Sequence, residues 1–137
     1  MTKKILCPTD GSDHATQGVH KAVELARLTG AQLTICVVNI AHGAVRGPLI
    51  SHWTDEEVAK LLSDSEAVAK ADGLSEVGTV ELVAREPAPA IISYADENGF
   101  DHIVMGTGDK RGMTRLVLGS VASDVASQAH CSVTVAR

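Results

Sequence analysis

Lys4-Ile5-Leu6-Cys7-Pro8-Thr9-Asp10-Gly11-Ser12 (KILCPTDGS) opens as a short apolar run and breaks into a polar, glycine-bearing turn. That pattern is expected of a buried strand, Lys4 to Pro8, that ends in a turn. Beyond it Ala15, Val19, Ala22, Val23 and Ala26 recur at helical spacing, with Ser12 or Asp13 placed as N-cap and Gly30 placed to stop the helix. Leu33 to Ile40 (LTICVVNI) follows, β-branched and apolar on both faces, as a strand covered on both sides should be.

The same alternation continues to the end of the chain. Thr54 and Glu57 match a capping box, and Val58, Leu61, Leu62, Ser65, Val68 and Ala69 form the apolar stripe of a second helix. A third strand is expected over Val77 to Ala84, then a helix through Ala88, Ile91, Ile92 and Ala95 closed by Asn98-Gly99. Asp101 to Met105 (DHIVM) reads as the fourth strand, Ser120 to Ala129 as the last helix and Ser132 to Ala136 as the fifth strand. Residues 41–52 (AHGAVRGPLISH) hold two glycines and a proline without a period, so a long, mobile loop, and with it a lid, is expected there. Strands separated by helix-length segments make right-handed βαβ crossovers. The expected fold is therefore α/β: a doubly wound, five-stranded parallel sheet with helices on both faces, in one domain over residues 1–137.

Composition narrows the function. Seventeen acidic residues against twelve basic ones give a net charge of −5, which argues against a broad grip on nucleic acid or an anionic membrane. Trp53, Tyr94 and Phe100 are too few aromatics for a single-strand stacking platform. Cys7, Cys36 and Cys131 sit in apolar runs without CxxC spacing, so neither a disulfide framework nor a zinc site is indicated. No stretch approaches the roughly 18 apolar residues of a membrane span, and the first apolar run is too short for a signal peptide. These features place the chain in the cytoplasm, without membrane insertion.

Ligands of open α/β sheets bind beyond the carboxyl ends of the strands, where the winding reverses. Two strand ends carry unusual chemistry: Pro8-Thr9-Asp10-Gly11-Ser12, and Gly106-Thr107-Gly108-Asp109 running on to Gly119-Ser120-Val121. Glycines let the backbone N–H groups approach a ligand, and a helix N-terminus adds partial positive charge, so together they cradle an anion. Lys110, Arg111 and Arg115 add positive charge to an otherwise acidic chain. A turn and a helix N-cap would explain the same residues without a ligand. Neither GxxxxGK[ST] nor a completed GxGxxG is present, since residue 111 is arginine. Ser12, Asp10 and His14 have the residue types of a hydrolytic triad, but adjacent positions of one turn do not align them, and no catalytic residue is assigned. His14, His20, His42, His52, His102 and His130 show no metal-ligand spacing.

ILCPTDGS near the N-terminus, DHIVMGTGDKRGMTRLVLGSVASDVASQAHCSVTVAR at the C-terminus and the element order between them resemble the universal stress protein family over essentially the whole chain. The ATP-binding branch of that family carries a glycine, two residues, a second glycine, nine residues and then Gly-Ser or Gly-Thr. Gly106 and Gly119-Ser120 match the first and last parts, whereas Asp109 stands at the second glycine position. The resemblance implies a stress-response protein that binds ATP or another adenine nucleotide, with Mg²⁺ only as companion of a triphosphate, and that senses or regulates rather than turns over substrate. It implies that Asp10 bonds the nucleoside, that Val38 touches the base, and that Met105 and Gly106 line the ribose and phosphate path. It also points to a homodimer through the C-terminal strand, with a further protein partner left open. Asp109 is expected either to repel the phosphates or to help hold Mg²⁺. The alternatives are a nucleotide-independent dimeric interaction module of the same fold and a slow ATP hydrolase.

Overall fold

The computed structural model describes residues 1–43, 49–107 and 119–137. Its elements follow the chain as β1 (Lys4–Pro8), α1 (Asp13–Thr29), β2 (Gln32–Gly43), β3 (Leu49–Ser51), α2 (Asp55–Ala71), β4 (Gly78–Ala84), α3 (Pro87–Glu97), β5 (His102–Gly106), α4 (Ser120–Gln128) and β6 (Ser132–Ala136). Five strands run parallel in the order β4-β2-β1-β5-β6, the doubly wound arrangement expected. From β1 the chain winds outward through β2 to β4, then crosses to the other side of β1 for β5 and β6. The winding therefore reverses between β1 and β5, which pair at Ile5–His102 and Leu6–Ile103.

Side-chain alternation along the parallel strands builds two cores. Ile5, Cys7, Leu33 and Ile35 point to the face covered by α1, with Val19, Ala22, Val23 and Ala26, and by Ala69 of α2. Leu6, Cys36, Ile103 and Met105 point to the other face, against Ala88, Ile91 and Ala95 of α3 and Ala122 and Val125 of α4. Leu6 and Ile103 are fully buried, each stabilising the fold by about 1.5–3 kcal/mol relative to exposure.

Local signals set the helix ends. The Ser12 hydroxyl accepts the Ala15 N–H at 3.1 Å, and Gly30 ends α1 in the left-handed conformation at φ 75°. Thr54 and Glu57 form the capping box of α2.

Residues 41–52 differ from expectation. Instead of a loop throughout, Ala41–Gly43 prolong β2 past its parallel neighbours and pair antiparallel with Leu49–Ser51, which gives the sheet a sixth strand. The overhang of β2 carries backbone groups that neither β1 nor β4 reaches, and β3 supplies their partners. Residues 44–48, the middle of the expected lid, lie outside the described residues.

Candidate functional site

The fold places the two chemistry-bearing strand ends side by side. β1 and β5 are neighbours, so the turn after Pro8 and the segment after Gly106 face one another at the reversal of winding. A cleft of about 340 Å³ opens there. Its floor is the strand ends: Pro8, Thr9 and Asp10 from β1, Val38 and Ile40 from β2, and Met105 and Gly106 from β5.

Thr9 and Asp10 are held by identifiable bonds. The Thr9 N–H donates to the Cys36 carbonyl at 2.9 Å, while the Thr9 hydroxyl accepts the Gly11 N–H at 3.2 Å. Asp10 is exposed, and one of its carboxylate oxygens accepts the Ser12 N–H at 2.9 Å. It is thus a turn former as well as a cleft residue. Gly106 is fixed by the approach of α1, because a Cβ there would collide with the backbone carbonyl of His14. The contact is reciprocal: a Cβ on Gly18 would come within 2.6 Å of the Gly106 nitrogen. Only two glycines let helix and strand approach this closely.

The two sides of the cleft differ in character. On the β5 side, Gly119 is buried and donates its N–H to the Thr107 carbonyl at 2.6 Å, and α4 starts at Ser120 with no side-chain cap. The N–H groups of Ser120 and Val121 have no partner within the helix and carry its positive dipole end. On the β2 side, Trp53 and Pro87 join Val38 and Ile40 in an apolar lining. Such a cleft suits a molecule with an anionic end and a flat apolar end.

Of the residues singled out from sequence, Pro8, Thr9, Asp10, Val38, Met105, Gly106, Gly119, Ser120 and Val121 all line this cleft. Thr107 is buried beside it and bonded to Gly119. Gly108, Asp109, Lys110, Arg111 and Arg115 lie outside the described residues. Ser12, from the first of the two strand ends singled out, lines it as well, whereas Ile40, Trp53, Pro87 and Ile91 also line the cleft and were missed. The missed signal is Asn39, the amide inside LTICVVNI, whose buried side chain bonds the backbone of Trp53.

Nothing among the described residues resembles an activated nucleophile. Burial pushes the Cys7 thiol up to about 12 and raises Cys36 as well, with the Cys7 thiol adding to the latter. Partial burial raises Cys131, helped by the nearby Asp96 and Asp101 carboxylates. All three are thiols at neutral pH, not thiolates. His130 contacts Asp96 at 2.8 Å and His102 contacts Thr134 at 2.7 Å, both away from the cleft. No group of three or more His, Cys, Asp or Glu among the described residues is arranged to hold a metal. None of the described helices is long and apolar enough to cross a membrane. A second depression near Arg27, Gln32 and Glu76 lies by the C-terminal end of α1, where helix carbonyls disfavour an anion.

Fold and cleft together define a doubly wound α/β protein with a cleft at its switch point. The profile of the Universal stress protein family matches residues 1–137, and the chain belongs to that family. It is 35% identical to Universal stress protein MJ0531 of Methanocaldococcus jannaschii, over 100% of this chain and 83% of that protein. Among solved structures it is similar to the universal stress protein from Archaeoglobus fulgidus in complex with dAMP: 28% identity, TM-score 0.67, covering 100% of this chain and 98% of that one. A universal stress protein in complex with cAMP shares the fold at 24% identity and TM-score 0.76, covering 99% of this chain and 97% of that one.

Proposed function

We propose that this chain binds an adenine nucleotide in the cleft between the ends of β2, β1 and β5, and acts as a one-domain sensing or regulatory protein of the stress response in the cytoplasm, not as an enzyme. The observation that carries the reading is the polarity of the cleft: an uncapped helix N-terminus at one side and an apolar lining at the other. The dAMP complex of the Archaeoglobus fulgidus relative supports the class of ligand. In this reading Asp10 bonds the nucleoside, Val38 meets the base, and Met105 and Gly106 floor the ribose and phosphate path. Ser120 gives the phosphate its hydroxyl and, with Val121, backbone N–H groups. With a triphosphate, Mg²⁺ would be held by phosphate oxygens and water.

Calorimetry with ATP, ADP and AMP tests the assignment. Ser120→Ala and Asp10→Ala should each weaken binding by about 5- to 100-fold, the worth of hydrogen bonds to charged or buried partners. Unchanged affinity in both variants would remove the cleft as the site, and a wild type that binds none of the three would return the nucleotide-independent module to first place.

The partner surface we assign is β6, which pairs only with β5 among the described strands and leaves Val133 and Val135 half-buried at an open edge. A homodimer joined through this edge should give a dimer mass by light scattering at micromolar concentration. A monomer mass there would count against it.

A further inference from the structure

Trp53 is the one tryptophan of the chain, and its main chain is held with unusual care for a residue between two elements. Asn39, 2% exposed, clasps it from both sides: the Trp53 N–H donates to Asn39 Oδ1 at 3.0 Å, and Asn39 Nδ2 donates to the Trp53 carbonyl at 3.0 Å. The remaining Nδ2 proton goes to Glu81 Oε2 at 3.0 Å. Because a carboxylate only accepts, Glu81 fixes which way the amide faces, so Oδ1 must meet the Trp53 N–H. The flanking residues are held too. The His52 N–H donates to the Ile40 carbonyl at 2.8 Å, and Thr54 caps α2.

Burying an amide costs free energy unless its bonds are made, and here two of the three are made to the backbone of one residue, Trp53, and the third to Glu81. Trp53 lines the cleft beside Val38 and Ile40, on the side away from the α4 N-terminus. The cleft lining at that side thus includes a flat apolar side chain on a rigid mount, with the His52 ring edge-on to the indole at 4.9 Å.

Resting on the nucleotide reading above, we propose that Trp53 is the specificity-determining residue of the cleft, stacking on a purine base, and that Asn39, oriented by Glu81, is its positioning residue. A two-ring base covers the indole and reaches Val38 and Ile40, whereas a one-ring base leaves part of that contact unmade.

The test compares AMP with CMP on the full chain by calorimetry, alongside the emission of Trp53. Wild type should prefer AMP by about tenfold, Trp53→Phe should keep most of that preference, and Trp53→Ala should reduce it to about threefold or less. Asn39→Ala keeps the indole but should lose the same discrimination, with Trp53 emission shifted toward that of a solvated indole. AMP should quench the emission of the wild type, a measurement that needs no variant to fold. The proposal is overturned if wild type binds AMP without a change in emission, or if Trp53→Ala keeps the AMP-to-CMP ratio. Equal weakening of both nucleotides in Asn39→Ala would make that residue merely structural and end its positioning role. A wild type that binds neither nucleotide would instead bring down the nucleotide reading itself, and this inference with it.

Discussion

At the amino end of β5 the Asp101 carboxylate accepts the Lys3 N–H at 2.9 and 3.1 Å and the Lys4 N–H at 3.3 Å. Next to it His102 is bonded through both ring nitrogens, to Thr2 at 3.3 Å and Thr134 at 2.7 Å, and the Lys4 ammonium lies 4.4 Å from the Phe100 ring centre. At the carboxyl end of the same strand the closure among the described residues is made by backbone, the Gly119 N–H donating to the Thr107 carbonyl at 2.6 Å. Gly106 has no side chain, and α4 begins without a side-chain cap. Among the described residues, the polar side chains of one end satisfy each other, while at the other the first N–H groups of α4 have no partner within the helix. The candidate site thus differs from the opposite end of the same strand, where side chains and backbone close on one another.

Substitutions at the two ends should separate stability from binding. The largest effect belongs to Gly106→Ala, because the new methyl meets the His14 backbone, which cannot rotate away as a side chain would. A cost of about 2–3 kcal/mol in unfolding free energy is expected, accompanied by loss of nucleotide affinity as α1 is pushed off β5. Chemical denaturation and calorimetry read the two effects, and wild-type values in both would mean that the floor of the cleft is not set by this contact. Asp101→Ala should do less and do it selectively. Losing the bonds to two backbone N–H groups should cost about 1–2 kcal/mol of stability, with nucleotide affinity unchanged. If affinity falls together with stability, the two ends of β5 are coupled and the contrast drawn above is wrong.

Much of the molecule was legible because its signals are local. The span of β1, the Gly30 stop and the Thr54–Glu57 box each depend on residues within a few positions, and each was found where expected. The strand-end residues of the cleft were legible for a related reason: βαβ winding brings the carboxyl ends of β1 and β5 together whatever lies between them. β3 was not legible, since Leu49–Ser51 is too short to show a period and forms only because the overhang of β2 needs partners. Trp53 was missed because its place at the cleft comes from an Asn39 bond on the face opposite Val38, which no spacing rule connects. Gly18 offered a readable hint that was passed over. A glycine within a helix costs about 1 kcal/mol against alanine, and here close packing on the Met105–Gly106 backbone offsets it.

The β1–β5 pairing has a consequence for how the chain folds. β1, α1 and β2 are contiguous and can form early, but Ile5 and His102 are separated by 97 positions (102 − 5) and meet across only two register pairs. Closing so long a segment is entropically slow, so this seam belongs to the late events of folding. The cleft straddles it, with Pro8 to Asp10 on one lip and Gly106 with α4 on the other. The site therefore does not exist in any half-folded chain. An occupant would act as a clasp across the seam, prolonging the lifetime of the folded protein by slowing its opening and leaving the rate of closure nearly untouched.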